Sequence, residues 1–136
     1  MALIFPYEKR SSSIFKEIFR PVAQVFLYSE AKKIWYEVWM IVDTGADYTL
    51  LPKHLAARLG ININKECQLF KTSGIGGEEK VYLKKNLRVK IGNWERVVPV
   101  GFLNKENIPP LLGRQGFLET FEVLFSSNHT INFSVK

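Results

Sequence analysis

The segment that decides the fold reads Met40-Ile41-Val42-Asp43-Thr44-Gly45-Ala46-Asp47-Tyr48-Thr49-Leu50-Leu51. An apolar run leads directly into an acid, a hydroxyl and a glycine, which places a carboxylate where a strand ends and the chain must turn. Loop positions of this kind often carry binding or catalytic groups. An ordinary turn, in which the Asp43 carboxylate bonds to the backbone two residues on, explains the same pattern. The segment alone leaves both interpretations open.

Length and composition describe one globular domain. The chain has 136 residues, of which 46% are hydrophobic and 24% charged, and a chain of this size buries roughly two-thirds of its unfolded surface. Its single cysteine, Cys67, cannot form an internal disulfide, which favours a reducing compartment. The apolar runs are far shorter than the ~20 residues of a membrane span. Because the first charges, Glu8 to Arg10, follow an apolar run, the reverse of a secretory signal, we expect a cytoplasmic protein with no membrane partner.

The net charge of +6 is compatible with nucleic acid or another acidic partner. In the densest basic stretch, Lys80 to Lys90, four of the five bases have even numbers and the aliphatic residues have odd ones. This alternation predicts a half-buried strand with a solvated basic face. Regular interleaving with aromatic residues, as a single-strand-binding platform requires, is absent from the stretch, which disfavours nucleic acid as a partner.

Alternation with period 2 dominates the chain and predicts a mainly β domain. Gly92-Asn93 joins two strand patterns and predicts a tight hairpin. Leu51 to Gly60 predicts a short helix with Pro52 at its first position, and Gly113 to Thr120 a second one. The strand patterns cover Val22 to Tyr28, Ile34 to Val42, Lys80 to Ile91, Trp94 to Leu103, Phe121 to Phe125 and Ile131 to Val135.

The first twenty residues give a mixed signal. Ile14, Phe15, Ile18 and Phe19 have helical spacing, whereas Ser11 to Ser13 are typical of a loop. We therefore divide the chain into an N-terminal extension of uncertain role, residues 1–20, and one domain, residues 21–136.

Three motifs carry a resemblance to a known family. The segment from Val42 to Thr49 resembles the active-site motif of the aspartic peptidases, in particular their retroviral-type, or retropepsin, branch. Gly74-Ile75-Gly76-Gly77 resembles the glycine-rich tip of the retropepsin flap, a hairpin that closes over substrate. Pro110-Leu111-Leu112-Gly113-Arg114 resembles the second family signature, hydrophobic-hydrophobic-Gly-Arg. The order is the one the family requires.

The resemblance implies an all-β, retropepsin-like acid protease half-barrel with one or two short helices, which works as a homodimer. Within the family, the sequence is most similar to the single-domain members encoded by cellular, especially prokaryotic, genomes. The expected activity is that of an aspartic endopeptidase acting on a polypeptide substrate.

The same resemblance implies roles for individual residues. Asp43, Thr44 and Gly45 would be catalytic: Asp43 as the reacting carboxylate, Thr44 by fixing the pair of loops, and Gly45 by allowing close approach of the backbone. Substrate binding would fall to Ala46 and Asp47. The flap residues Gly74, Ile75, Gly76 and Gly77 would close over the substrate.

Support of the site would come from Gly113 and Arg114, with Arg114 pairing with Asp47. A purely structural ion pair is the alternative for these two charged residues. His54 and His129 lie far apart in the sequence, with no cysteine or acidic cluster at metal-ligand spacing, so we expect no metal and no cofactor.

The number of aspartates predicts the homodimer. Peptide hydrolysis by this route uses two carboxylates that share one proton, but Asp43 and Asp47 are the only aspartates and there is one Asp-Thr-Gly. Two chains would therefore meet on a two-fold axis, each contributing Asp43.

Several features depart from the retroviral pattern. Glu78 and Glu79 follow the flap glycines, Gln115 follows the arginine, and Tyr48 occupies a position that is often small or acidic. Residues 1–20 could be a removable prosegment, a plug of the cleft or part of the dimer interface. Two alternatives to the peptidase stay open: a catalytically silent dimer of the same fold that binds peptides or proteins, and a basic β domain that binds nucleic acid.

Overall fold

The computed structural model of the protein describes residues 2–74 and 77–135. This part of the chain is built mainly of β-strands, as the period-2 patterns predict. The strands are β1 (Ala2–Pro6), β2 (Glu8–Ser12), β3 (Lys16–Arg20), β4 (Val22–Ser29), β5 (Ile34–Val42), β6 (Thr49–Pro52), β7 (Gln68–Gly74), β8 (Gly77–Ile91), β9 (Trp94–Leu103), β10 (Leu111–Leu112), β11 (Phe121–Ser126) and β12 (Thr130–Val135). The helical elements are α1 (His54–Arg58), α2 (Ile63–Glu66) and a single 3-10 turn (Leu118–Thr120).

The largest sheet has seven strands in the order β4-β5-β10-β6-β9-β8-β7. A further pairing of β4 with β8 joins the two sides of this sheet. The strands β4, β5, β10, β6, β9 and β8, in this spatial order, therefore close into a small barrel. A second sheet has the order β1-β12-β11, and β2 and β3 form a two-stranded sheet. The all-β expectation is confirmed.

Strand β10 is short but fixes the geometry of the barrel. Its two residues pair in parallel with β5, Leu111 with Ile41 and Leu112 with Val42. On its other side Leu111 pairs antiparallel with Leu50 of β6. The strand that precedes Asp43 and the strand that follows it are therefore held apart by the segment that leads into Gly113 and Arg114.

The core lies inside the barrel and beneath the second sheet. Alternate residues of β4 point inward: Val25 and Leu27 are fully buried, as is Met40 of β5. Phe133 of β12 and Phe5 of β1 are also buried, with ring centroids 6.1 Å apart. Strand β1 thus packs on the same core as the rest of the chain, while the division at residue 20 stays a prediction.

The predicted hairpins form as expected. Strands β8 and β9 pair from Ile91 and Trp94 outward, and Gly92 has a φ of 57° in the turn between them. Because this left-handed backbone conformation is cheap for glycine, the Gly-Asn pair allows a tight turn. Strands β11 and β12 pair along their full length, from Phe121 with Val135 to Ser126 with Thr130.

Two helix predictions were too long. Pro52 does not open a helix; it ends β6, where it pairs in parallel with Leu103, and α1 spans only His54–Arg58. A proline is tolerated at a strand end, and the neighbouring ladder decides the local conformation. In the second segment only Leu118–Thr120 are helical.

The N-terminal region is extended rather than helical. Strands β2 and β3 form a hairpin in which Arg10 pairs with Ile18, and Ile14 and Phe15 lie in the turn. The helical spacing of the apolar residues was misleading, because Ile14 and Phe15 are 79% and 71% exposed and bury no common face.

Candidate active site

Asp43 lies at the first position after β5. Its backbone N–H donates to the carbonyl of Leu112 at 3.0 Å, which continues the β5–β10 pairing by one residue. Its carboxylate oxygen Oδ1 accepts from the N–H of Gly45 at 2.9 Å, and its carbonyl accepts from the N–H of Ala46 at 3.2 Å. The ordinary turn considered from the sequence is therefore present, and it orients the half-buried Asp43 carboxylate.

Thr44 and Gly45 form the exposed tip of this turn. A Cβ added to Gly45 would lie 3.3 Å from Asp43 Oδ1, a tight approach for any side chain. Glycine therefore leaves the carboxylate accessible and lets its own N–H reach the carboxylate oxygen.

Arg114, which follows β10, contacts the loop that connects β5 with β6. Its guanidinium Nη2 lies 2.5 Å from Asp47 Oδ1, and its backbone N–H donates to the carbonyl of Ala46 at 3.1 Å. The next N–H, of Gln115, donates to the carbonyl of Asp47 at 2.8 Å. The predicted Asp47–Arg114 pair exists, and two backbone bonds beside it fix the register of the loops.

These contacts between the segment after β10 and the segment after β5 form a junction. Gly113 and Thr49 make its buried part. The Gly113 N–H donates to Thr49 Oγ1 at 3.1 Å, and Thr49 is only 1% exposed. A Cβ on Gly113 would lie 2.2 Å from the carbonyl carbon of Tyr48, so only glycine permits this approach. No role for Thr49 was predicted; its place within the Asp-Thr-Gly segment, at an inward-facing strand position, was the available signal.

An open groove of about 700 Å³ begins at the Asp43 turn. One wall is formed by Thr44, Asp47 and Arg114, with Gln115. The other wall is the apolar face of β11, with Val123 and Phe125 near its middle and end. The proximity of β11 to the candidate site could not be predicted from the sequence, because the 78 residues from Asp43 to Phe121 separate the two.

A second hollow, of about 440 Å³, lies on the other side of Asp47. It is lined by Tyr48, by Phe70 and Lys71 of β7, and by Leu83 and Pro99 among others. Burial, followed by the nearby Asp47 carboxylate, raises the pKa of the Tyr48 hydroxyl, which therefore stays protonated at neutral pH.

Gly74 and Gly77 of the glycine-rich segment lie at the facing ends of β7 and β8. Gly74 pairs with Gly77, and Gly77 has a φ of 103°; the predicted tip residues Ile75 and Gly76 lie outside the described residues. Below the tip, Glu79 forms an ion pair with Lys105 at 2.5 Å. The hairpin arms reach the second hollow through Phe70 and Lys71.

Comparison with known proteins agrees with this geometry. The sequence profile of the family described as aspartyl protease matches residues 36–115, more than half of the chain. This chain belongs to the aspartyl protease family. The match contains both the Asp43 segment and the Gly113-Arg114 segment.

The fold of this aspartyl protease-family protein is retropepsin-like. It is similar to the crystal structure of a retropepsin-like aspartic protease from Rickettsia conorii, with a TM-score of 0.68 and 21% sequence identity. The superposition covers 98% of this chain and 89% of the Rickettsia chain. No curated protein sequence matches the chain.

Titratable groups away from the Asp43 turn of this aspartyl protease-family chain do not form a metal site in its described part. Within residues 2–74 and 77–135, no three His, Cys, Asp or Glu side chains are placed to hold a metal ion. Cys67 is half-buried between α2 and β7, and burial, against the opposing effect of Lys84, raises the pKa of its thiol. Neither helix α1 nor helix α2 could cross a membrane.

The basic face of β8 has aromatic neighbours that the sequence did not reveal. Arg88 Cζ lies 4.4 Å from the centre of the Tyr28 ring, and Lys90 Nζ lies 4.4 Å from that of Trp35. These rings come from β4 and β5. Arg88 also pairs with Glu95 at 3.4 Å, which partly neutralises its charge. The cations of Arg88 and Lys90 occupy the ring faces on which the bases of a nucleic acid would stack.

Proposed function

We propose that this member of the aspartyl protease family is a homodimeric endopeptidase that cleaves peptide bonds in extended polypeptides. The observation that carries the proposal is the Asp43 turn: the carboxylate is held by the Gly45 N–H at 2.9 Å, and the next residue, Thr44, lines a groove together with Arg114. One protomer supplies one such carboxylate. Asp47 cannot serve as the second, because it is paired with Arg114.

In the proposed mechanism two Asp43 carboxylates face each other across a two-fold axis. Two like charges a few ångströms apart repel each other, so the two carboxyls hold one proton between them. The ionised carboxylate takes a proton from water as the water oxygen adds to the peptide carbonyl carbon. The protonated carboxyl gives its proton to the carbonyl oxygen. The C–N bond then breaks as the amide nitrogen takes a proton from the carboxyl that had deprotonated the water. The other carboxylate takes a proton from a hydroxyl of the tetrahedral intermediate, which leaves a new carboxyl and a new amine and restores the shared proton.

The residues around Asp43 would position the reacting groups. Thr44 lies at the exposed tip of the turn, where it can bond to the partner's loop. Gly45 keeps the carboxylate accessible. Ala46 and Asp47 would bind the substrate backbone, with Gly113 and Arg114 as the support that fixes their loop.

An extended peptide would lie along this row of groups as an added strand. The flap residues Gly74, Ile75, Gly76 and Gly77 would cover it and contribute backbone donors, and a glycine-rich tip can move fast enough for a lid. The second hollow, which joins Tyr48 to Phe70 and Leu83, would receive an apolar side chain of the substrate.

The proposal is tested by cleavage of a diverse peptide mixture. The purified protein is incubated at a concentration that favours dimers, from acidic to neutral pH, and mass spectrometry detects new termini. Asp43→Asn is the decisive variant because it removes the proton-transfer group and hardly changes volume. Glu17→Gln is the matched control, since Glu17 is an exposed carboxylate of β3 that pairs with Lys9.

Cleavage by the unmodified protein and by Glu17→Gln, but not by Asp43→Asn, is the expected result. Retained cleavage by pure Asp43→Asn protein would refute the mechanism. A folded dimer that binds peptides but cleaves none of them at any pH would instead favour the catalytically silent binding module.

A further inference from the structure

We propose that the tip of the β2–β3 hairpin, residues 13–17, inserts into the surface of a lipid bilayer that carries anionic headgroups. Ile14 and Phe15 would enter the boundary between the headgroups and the acyl chains, while neighbouring cations contact the headgroup phosphates. This contact would hold the protein at a membrane surface. The apolar runs, from which we expected no membrane partner, are too short for a span but leave such a surface contact open.

The hairpin tip carries the two most exposed large apolar side chains of the described residues. Ile14 is 79% exposed and Phe15 is 71% exposed, and all of residues 13–17 are exposed. Strands β2 and β3 form a two-stranded sheet of their own. Adjacent apolar side chains in full contact with water are unfavourable, and a patch of this kind marks a contact site.

The base of the hairpin is fixed to the body of the protein. The ring of Phe19 in β3 stacks on the His129 ring, with centroids 4.2 Å apart. The N–H of Tyr7, directly before β2, donates to the His129 carbonyl at 2.8 Å. A two-stranded hairpin by itself is marginally stable in water, so these contacts support the strands while the tip stays exposed.

The backbone of the tip meets a requirement that an apolar environment imposes. A peptide N–H that leaves water without a hydrogen-bond partner is costly. The Ser12 hydroxyl accepts from the N–H of Ile14 at 3.2 Å and from that of Phe15 at 3.1 Å. The Phe15 carbonyl accepts from the N–H of Glu17 at 2.7 Å. Both apolar residues can therefore enter the bilayer boundary with their N–H groups already bonded.

The charges of the hairpin and of the whole chain favour an anionic surface. Lys16 directly follows Phe15 and, like Arg20 at the base, forms no ion pair with an acidic side chain of the described residues. Both glutamates of the hairpin pair with its remaining two cations, at 2.7 Å and 3.1 Å. Because the chain has a net charge of +6, an anionic bilayer attracts it, and each cation close to the headgroups adds to the attraction.

Vesicle co-sedimentation tests the proposal without any peptide cleavage. The purified protein is mixed with vesicles of phosphatidylcholine alone, or of phosphatidylcholine with phosphatidylglycerol, and the bound fraction is measured against the lipid concentration. We expect a partition coefficient about tenfold higher for the anionic vesicles than for the neutral ones. Added salt should lower the difference, since it screens the attraction.

A matched pair of double variants locates the apolar contact. Ile14→Ser combined with Phe15→Ser should lower the partition coefficient about tenfold or more, because neither side chain is then buried in lipid. Ile34→Ser combined with Val97→Ser removes two apolar side chains of the large sheet that are 48% and 62% exposed. This control should bind like the unmodified protein.

A second pair of variants tests the headgroup contact. Lys16→Glu should weaken binding about fivefold more than Lys85→Glu, although both change the net charge equally and Lys85 is an exposed residue of β8. Lys16→Gly shows whether the turn itself is the cause, because Lys16 has a φ of 64° and glycine adopts this conformation easily. Its binding should lie between that of Lys16→Glu and that of the unmodified protein.

A fluorescent label distinguishes insertion from adsorption. Ser13→Cys and Lys85→Cys, each combined with Cys67→Ser, are labelled with the environment-sensitive dye nitrobenzoxadiazole. On anionic vesicles the emission of the label at the hairpin tip should intensify and move to shorter wavelength. The label on β8 should stay in water and keep its spectrum.

Several results would overturn the proposal. They are failure to bind anionic vesicles, equal binding by the two double variants, and a label at residue 13 that remains in water. Sedimentation velocity without lipid gives a further check: if Ile14→Ser with Phe15→Ser binds vesicles normally but associates less with itself, the tip is a protein contact. None of these results bears on Asp43-dependent cleavage, so the peptidase proposal is judged separately.

Discussion

Replacement of Thr49 by valine tests whether the buried junction beside Asp43 is held by one hydrogen bond. The Thr49 hydroxyl accepts the Gly113 N–H at 3.1 Å and is 1% exposed, so water cannot easily take its place. Valine has nearly the same shape but offers no acceptor. Thr49→Val would therefore leave the Gly113 N–H buried without a partner.

The size of the effect follows from that loss. A buried donor without a partner costs about 1–3 kcal/mol. An unfolding entropy of about 2.1 cal/mol/K per residue corresponds to about 0.3 kcal/mol/K for 136 residues. We therefore expect the Tm of Thr49→Val to fall by about 3–10 °C. Thr49→Ser keeps the hydroxyl and loses one methyl group, which costs about 0.5–1.5 kcal/mol by comparison with other methyl deletions.

Thermal unfolding and hydrogen exchange would check this expectation. All proteins are compared at one chain concentration, because the proposed dimer would make the Tm concentration-dependent. The Gly113 N–H should exchange faster in Thr49→Val and stay protected in Thr49→Ser. A Thr49→Val protein with an unchanged Tm and a protected Gly113 N–H would show that the hydroxyl does not hold the junction.

Two further predictions concern charges near the groove. Arg114→Gln should lower the Tm by no more than about 3 °C, because the ion pair of Arg114 with Asp47 is exposed and such pairs contribute under about 1 kcal/mol. The same variant should reduce kcat/KM at least tenfold, since the Asp47 loop loses its guanidinium contact. Arg10→Gln, which breaks an exposed pair with Glu8, is the control and should leave kcat/KM unchanged. Because burial raises the pKa of Tyr48 in the folded protein, its contribution to stability is complete below the ordinary value of 10.0 and is lost as the pH rises through the higher folded pKa. Urea unfolding from pH 8 to 11 should therefore show a smaller alkaline loss of stability for Tyr48→Phe than for the unmodified protein, and equal losses would contradict the assigned cause.

Local sequence predicted much of the fold and of the candidate site. The alternation in Ile34–Val42 and in Trp94–Leu103 gave strands because one face of each is buried. The Gly92 turn followed from a backbone conformation that glycine adopts easily. The Asp47–Arg114 pair was anticipated by resemblance and is present at 2.5 Å.

Other features could not be predicted because they depend on neighbours distant in the sequence. Pro52 has a plausible helix-start pattern, yet its parallel pairing with Leu103 keeps it in β6. Ile14 and Phe15 have helical spacing, but they bury no face and lie at a hairpin turn. Local propensity is weak compared with a ladder of hydrogen bonds and the burial of an apolar side chain.

The sequence by itself determined the chemistry that is available: one Asp-Thr-Gly carboxylate, one arginine to pair with Asp47, and glycines where the backbone must pass closely. Only the tertiary structure decided that Thr49 bonds to Gly113 and that β11 borders the Asp43 groove. It also decided that strands β1 and β12, which are far apart in the sequence, pair with each other. The physical reason is that residue types and short-range periodicity are local properties, whereas strand order and register follow from which apolar faces bury one another across the whole chain.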